Sequence, residues 1–207
     1  MHKVKVIGVG PGSPGCLTEE ARAAIAGARI VIGGKRHIES FCGKDQLKFI
    51  LANNLEEVLE VIRSRRDEGI AVLATGDPGM YGILSFLRDR LGPENIAVLP
   101  GISSVQMAFA RLCLPWHDAV VLSAHGRSPE KVAEIAEKAG KLAVLTGNDN
   151  PPETLFALME NMGGRKKYYF CFDLSLQGEE IILLNSGDKY PNEYKGRHNC
   201  VMVVLNE

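Results

Sequence analysis

The chain has 207 residues, 24 Lys and Arg against 25 Asp and Glu, and a 45% apolar share. That share excludes a disordered chain, and the balanced charge lacks the basic excess with which a nucleic-acid binder displaces counterions. No apolar run approaches the roughly 20 residues that span a bilayer, and Met1-His2-Lys3-Val4-Lys5 has no signal-peptide profile, so a cytoplasmic protein with no membrane or nucleic-acid partner is expected.

Residues 4–9 read as a buried strand and 18–28 as a helix, with Thr18 as its cap and Glu19 and Glu20 in its positive first turn. A second strand over 30–32 ends at Gly33-Gly34. Asn54 and Glu57 open a helix with Val58, Val61 and Ile62 on one face. A strand over 70–74, a helix over 80–91, a strand over 96–99 and a helix over 104–112 follow. This alternation predicts a mainly parallel sheet covered by helices. Leu114-Pro115-Trp116-His117 marks a boundary between lobes 1–114 and 115–207. Beyond it come a strand over 119–123, a helix from Ser128-Pro129-Glu130, a strand over 142–145 and a helix from Asn150-Pro151-Pro152-Glu153. The last three strands, over 167–172, 181–184 and 201–205, are joined by turns, which favours antiparallel pairing. The predicted fold is therefore two α/β lobes, the second mixed and ending in antiparallel strands. Ligands in such sheets sit beyond the carboxyl ends of strands and at domain interfaces, so a cleft between the lobes is the expected site.

Five dispersed cysteines (Cys16, Cys42, Cys113, Cys171, Cys200) form no Cys-x-x-Cys pair. They predict neither a disulfide framework nor a structural zinc site, and most read as small buried hydrophobes. No metal site is expected.

Three glycine-bearing turns each follow a strand. In Gly8-Val9-Gly10-Pro11-Gly12-Ser13-Pro14-Gly15, residues Gly10, Gly12 and Gly15 satisfy G-x-G-x-x-G. Pro11 and Pro14 lack the N–H groups that such a loop aims at a pyrophosphate. No acidic residue follows the second strand to hold a ribose, although Lys35 and Arg36 could accept a 2′-phosphate. An NADP-dependent oxidoreductase, a rigid cleft wall and a plain turn all remain open on this loop alone. In Thr75-Gly76-Asp77-Pro78-Gly79-Met80-Tyr81-Gly82, the Asp77 carboxylate either meets a ligand or caps its own turn. In Pro100-Gly101-Ile102-Ser103-Ser104, the hydroxyls of Ser103 and Ser104 either cap a helix or reach a ligand. In a parallel sheet all three turns share one edge.

In this order and spacing the three turns, with Leu17-Thr18, resemble the tetrapyrrole (corrin and porphyrin) methylase family over essentially the whole chain. Val31-Ile32-Gly33-Gly34-Lys35-Arg36-His37, the run from Val105 to Leu112 with Leu114-Pro115-Trp116, and Ser123-Ala124-His125-Gly126-Arg127 look like its cobalt-precorrin-7 (C-5)-methyltransferase branch. Relatives of that branch exist fused to a decarboxylating methylase, a second half for which this chain has no room. The resemblance implies S-adenosylmethionine folded between two lobes, a corrinoid tetrapyrrole substrate in cobalamin biosynthesis, and a homodimer. It places cofactor contacts at Pro11, Thr75, Gly76, Asp77, Ser103, Ser104 and the strand end Leu145-Thr146-Gly147. Thr146 departs from the Met that related enzymes often carry. Any cobalt arrives within the substrate.

Methyl transfer to a ring carbon demands alignment first and removal of a proton afterwards. His125 is the candidate base, its alternative being a hydrogen-bonded structural histidine. The substrate's carboxylates call for Arg forks. Arg36 and Arg127 each follow a strand and a glycine and are favoured over Arg111, which sits on a helix where an ion pair suffices. Other ring positions and ribosomal RNA are further substrates to weigh, and the charge balance argues against RNA. A non-catalytic ligand-binding module is a third class.

Overall fold

In the first half of the chain the inner strands are apolar in both phases, as a sheet buried on two faces requires. The computed structural model describes residues 3–207. Its first unit contains β1 (Val4–Gly8), α1 (Glu19–Ala26), β2 (Ile30–Gly33), α2 (Lys35–Phe41), β3 (Leu47–Ile50), α3 (Leu55–Ser64), β4 (Ile70–Ala74), α4 (Leu84–Leu91) and β5 (Ile96–Leu99). The five strands lie in the order β3-β2-β4-β1-β5, and every pairing is parallel. Ile7, Val31, Ala71 and Leu73 pack with Ala21, Ile25 and Ile38 of α1 and α2. Their neighbours Val6, Ile30, Ile32 and Val72 pack with Val58, Ile62 and Leu87 of α3 and α4. Strict alternation thus divides the inner strands between two helical layers.

The second unit holds α5 (Ser104–Arg111), β6 (Val120–Ser123), α6 (Pro129–Lys138), β7 (Lys141–Leu145), α7 (Pro152–Asn161), β8 (Lys166–Phe172), β9 (Glu180–Asn185) and β10 (Cys200–Asn206). Its strand order is β6-β7-β10-β8-β9. The β6–β7 pair is parallel and the remaining pairs are antiparallel, the mixed sheet that the turn-linked final strands predict. Phe156 of α7 meets Tyr168 edge-on at 4.9 Å in its core.

The division between units falls after Ser103, ahead of the boundary read at Leu114, because α5 packs on β10 and groups with the second sheet. Other local expectations shift as well. Helix α4 starts at Leu84 rather than at residue 80, because Tyr81 adopts φ 53° and the chain still turns there. Thr18 caps α1, its Oγ1 accepting from Ala21 N at 3.2 Å, and Ser128 caps α6. Asn54 does not cap α3. Its Oδ1 turns back to accept from Ala52 N, and its Nδ2 donates to Ile50 O and to Glu57. Among the described residues no helix is long and apolar enough to cross a membrane.

Candidate active site

Because β4, β1 and β5 are neighbours and parallel, the turns that follow them emerge along one edge of the first sheet. They meet backbone against backbone. A Cβ on Gly8 would lie 2.5 Å from Gly101 N and 2.6 Å from Gly76 O, and a Cβ on Gly101 would lie 2.3 Å from Gly76 O. Gly10 N donates to Gly76 O and Gly76 N to Gly10 O, at 3.3 and 2.8 Å. Both glycines have positive φ, 76° and 66°, a region that side chains disfavour.

Asp77 staples this junction. Its Oδ1 accepts from Gly79 N at 2.8 Å, closing its own turn, and its Oδ2 accepts from Gly101 N at 3.1 Å in the next one. The capping alternative therefore describes its carboxylate. The N–H groups of Gly10, Gly15 and Cys16 also bond within the unit, to Gly76 O, Ser13 Oγ and Ser13 O. With Pro11 and Pro14 contributing none, the first loop aims few donors outward, unlike a pyrophosphate cradle. Pro11 is buried and Thr75 is exposed at the edge. Ser103, 3% exposed, directly precedes α5, of which Ser104 is the first residue.

Helix α2 braces two of these loops. Arg36 Nη2 lies 3.5 Å from Pro11 O, and His37 Nε2 lies 3.1 Å from Thr75 Oγ1. Burial, reinforced by the Arg36 charge, pushes the His37 imidazole down to about 4. Between pH 6.5 and 4 the unfolded chain therefore binds a proton that the folded chain refuses. Stability from this group is full above pH 6.5 and is lost as pH falls, by roughly 3 kcal/mol at pH 4. Urea midpoints measured across that range should fall more steeply in the wild type than in His37→Gln, and parallel curves would refute this.

The second unit has a comparable edge at the carboxyl ends of β6 and β7. The ring of exposed His125 sits against the next strand's loop, where a Cβ on Gly147 would come within 2.0 Å of His125 Cε1. Buried Asn150 clasps the loop bearing His125 and Arg127, its Nδ2 donating to Ala124 O at 2.7 Å and Arg127 O at 2.9 Å. In the sequence Asn150 stands only as a helix opener, since no local pattern announces a partner 26 residues away. Thr146 is 6% exposed, and its Oγ1 lies 2.9 Å from Cys200 O and 3.1 Å from His198 O. Its hydroxyl serves the sheet, its N–H also bonds to Cys200 O, and only its backbone carbonyl is left for a ligand. Arg111 forms the ion pair foreseen for it, gripping both carboxylate oxygens of Glu179 and holding that carboxyl below its usual range.

Among the described residues no cluster of three or more His, Cys, Asp or Glu could hold a metal. Cys171 and Cys200 are buried, and burial lifts the Cys171 thiol to about 12, as expected of inert core cysteines. Cys16 and Cys42 are half-buried and Cys113 is exposed.

The sequence profile of the Tetrapyrrole (Corrin/Porphyrin) Methylases matches residues 3–188. The chain belongs to this family. It is 32% identical to the cobalt-precorrin-7 C(5)-methyltransferase of Salmonella typhimurium, over 85% of this chain and 87% of that protein. Among solved structures, the cobalamin biosynthesis precorrin-6Y methylase of Archaeoglobus fulgidus is similar over the full length of both chains, with a TM-score of 0.75 and 26% identity. The uroporphyrin-III C-methyltransferase of Thermus thermophilus, solved in complex with S-adenyl homocysteine, shares the fold at a TM-score of 0.72 and 18% identity, over 98% of this chain and 92% of that one. The methylase's two-sheet architecture thus agrees with the family to which its sequence assigns it.

Proposed function

We propose that this methylase transfers a methyl group from S-adenosylmethionine to C-5 of cobalt-precorrin-7 in cobalamin biosynthesis. The observation that carries the reading is the convergence of three glycine turns on one sheet edge, locked by Asp77 and by mutual backbone contact. An edge built of close-packed backbone accommodates a ligand approaching the main chain. Its acidic group is engaged by two N–H donors of the loops themselves, which leaves the main chain of the turns as the surface offered to a ligand.

When bound, S-adenosylmethionine supplies an activated methyl group. The chain's own task is to place donor and acceptor, and Pro11, Thr75, Gly76, Asp77, Ser103, Ser104 and Thr146 are the proposed contacts, with Asp77 and Thr146 contributing backbone. His125 is the proposed acceptor of the proton that the methylated carbon gives up, held in place by packing on Gly147. Arg36 and Arg127 are the proposed partners of the macrocycle's carboxylates. A homodimer in the cytoplasm completes the reading.

Incubation with methyl-labelled donor and a precorrin-7 preparation, followed by NMR location of the label, tests it. Label at C-5 supports the assignment, and label at another ring position or none at all refutes it. Calorimetry separates the reading from an oxidoreductase, because S-adenosylhomocysteine should bind and NADPH should not.

Two variants test the second edge. Gly147→Ala should displace the His125 ring while leaving the fold intact, because the collision is with an exposed side chain. It should lower kcat by about a hundredfold or more, in the usual span of general-base effects; an unchanged kcat would remove His125 from proton transfer. Arg127→Ala should raise KM for the tetrapyrrole by about tenfold, in keeping with a lost charged hydrogen bond, and spare KM for the methyl donor. Equal changes in both would refute a carboxylate role.

A further inference from the structure

The motif Gly33-Gly34-Lys35-Arg36-His37 contains a histidine that the proposed reaction does not use. His37 is 6% exposed. Its Nε2 faces Thr75 Oγ1 at 3.1 Å, whereas its Nδ1 is buried with no hydrogen-bond partner. The two glycines give the ring its berth. A Cβ on Gly33 would press on Leu73 at 3.1 Å and approach His37 Cβ at 3.6 Å, and one on Gly34 would stand 3.8 Å from Nδ1.

This asymmetry decides where the single imidazole proton resides. A buried N–H without a partner is rarer than an unused lone pair, and leaving it unpaired carries the full desolvation cost of the group. The proton therefore sits on Nε2, and Nε2–H donates to Thr75 Oγ1. The Thr75 hydroxyl has then accepted one bond and keeps its own O–H to donate elsewhere. Thr75 is exposed at the end of β4, beside the junction of the three turns.

We propose that His37 is a positioning residue that fixes Thr75 as a hydrogen-bond donor toward an acceptor oxygen or nitrogen of the methyl donor. The inference rests on the loop edge being the S-adenosylmethionine site. A structural histidine would merely fill space under the loop, whereas this one sets the polarity of an exposed hydroxyl 38 positions along the chain.

The test combines tautomer and coupling. Long-range proton–nitrogen NMR of the wild-type protein at neutral pH should show His37 protonated at Nε2, and protonation at Nδ1 overturns the proposal without any variant. In calorimetry with S-adenosylhomocysteine, Thr75→Val and His37→Leu should each weaken binding by up to about tenfold, the scale of one hydrogen bond. The double variant should be no weaker than Thr75→Val alone, and His37→Gln, whose amide can reach the same hydroxyl, should restore most of the affinity. Additive losses, or no loss in Thr75→Val, overturn the proposal while the site assignment stands. Wild-type protein that binds no S-adenosylhomocysteine overturns the proposed function and this inference with it.

Discussion

Gly101→Ala is expected to lower the stability of the protein by about 3 kcal/mol and its Tm by roughly 10 °C, and to abolish binding of S-adenosylhomocysteine. The new Cβ would stand 2.3 Å from Gly76 O and 2.7 Å from Gly8 C. Both neighbours are main chain, so no rotamer change relieves the contact. The turns after β4, β1 and β5 must then part, and the edge they form is lost with them. Thermal melts and calorimetry on the same preparation check the two expectations together. A variant that melts with the wild type would show that the backbones are not in contact as described.

Asp77→Ala is expected to cost about 2 kcal/mol, the scale of two charge-assisted bonds at a half-exposed site, less what water returns. Gly79 N and Gly101 N lose their acceptor at once. Urea midpoints should fall without a change in m, and affinity for S-adenosylhomocysteine should drop by more than tenfold because two loops are released. Asp77→Asn should recover only part of this. Its amide keeps one acceptor oxygen and turns an N–H₂ group toward the other donor. Wild-type affinity in Asp77→Ala would mean that the carboxylate does not organise the site.

The strand–turn–helix repeats of the first unit were legible because doubly buried strands are continuously apolar and glycines punctuate their ends. Strand β3 was not legible. It is a four-residue edge strand in which Leu47 and Ile50 are 40% and 45% exposed, Lys48 intervenes and only Phe49 packs on the core, so its apolar signal is weak. Helix α2 is not legible either, because it is short and starts after a glycine pair with no side-chain cap, which reads as a turn. In the site, the positions were readable and their contacts were not. Asp77 presents itself as a turn residue, yet one of its partners lies 24 residues away. Thr146 reads as a strand end, yet its hydroxyl is committed to carbonyls more than 50 residues on. His37 stands beside Lys35 and Arg36, which read as anion partners, and its relation to Thr75 exists only once β2 and β4 lie side by side.

The position of β10 has a consequence for biosynthesis. Cys200–Asn206 is the middle strand of the second sheet, paired with β7 on one side and β8 on the other. On the ribosome the first sheet has all its strands by Leu99 and can close while translation continues. The second sheet stays split, with the facing edges of β7 and β8 unpaired, until its keystone has cleared the exit tunnel. Nascent chains stalled shortly before Cys200 would therefore carry a finished amino-terminal half tethered to a sticky, open one, the form in which a chaperone would be needed most.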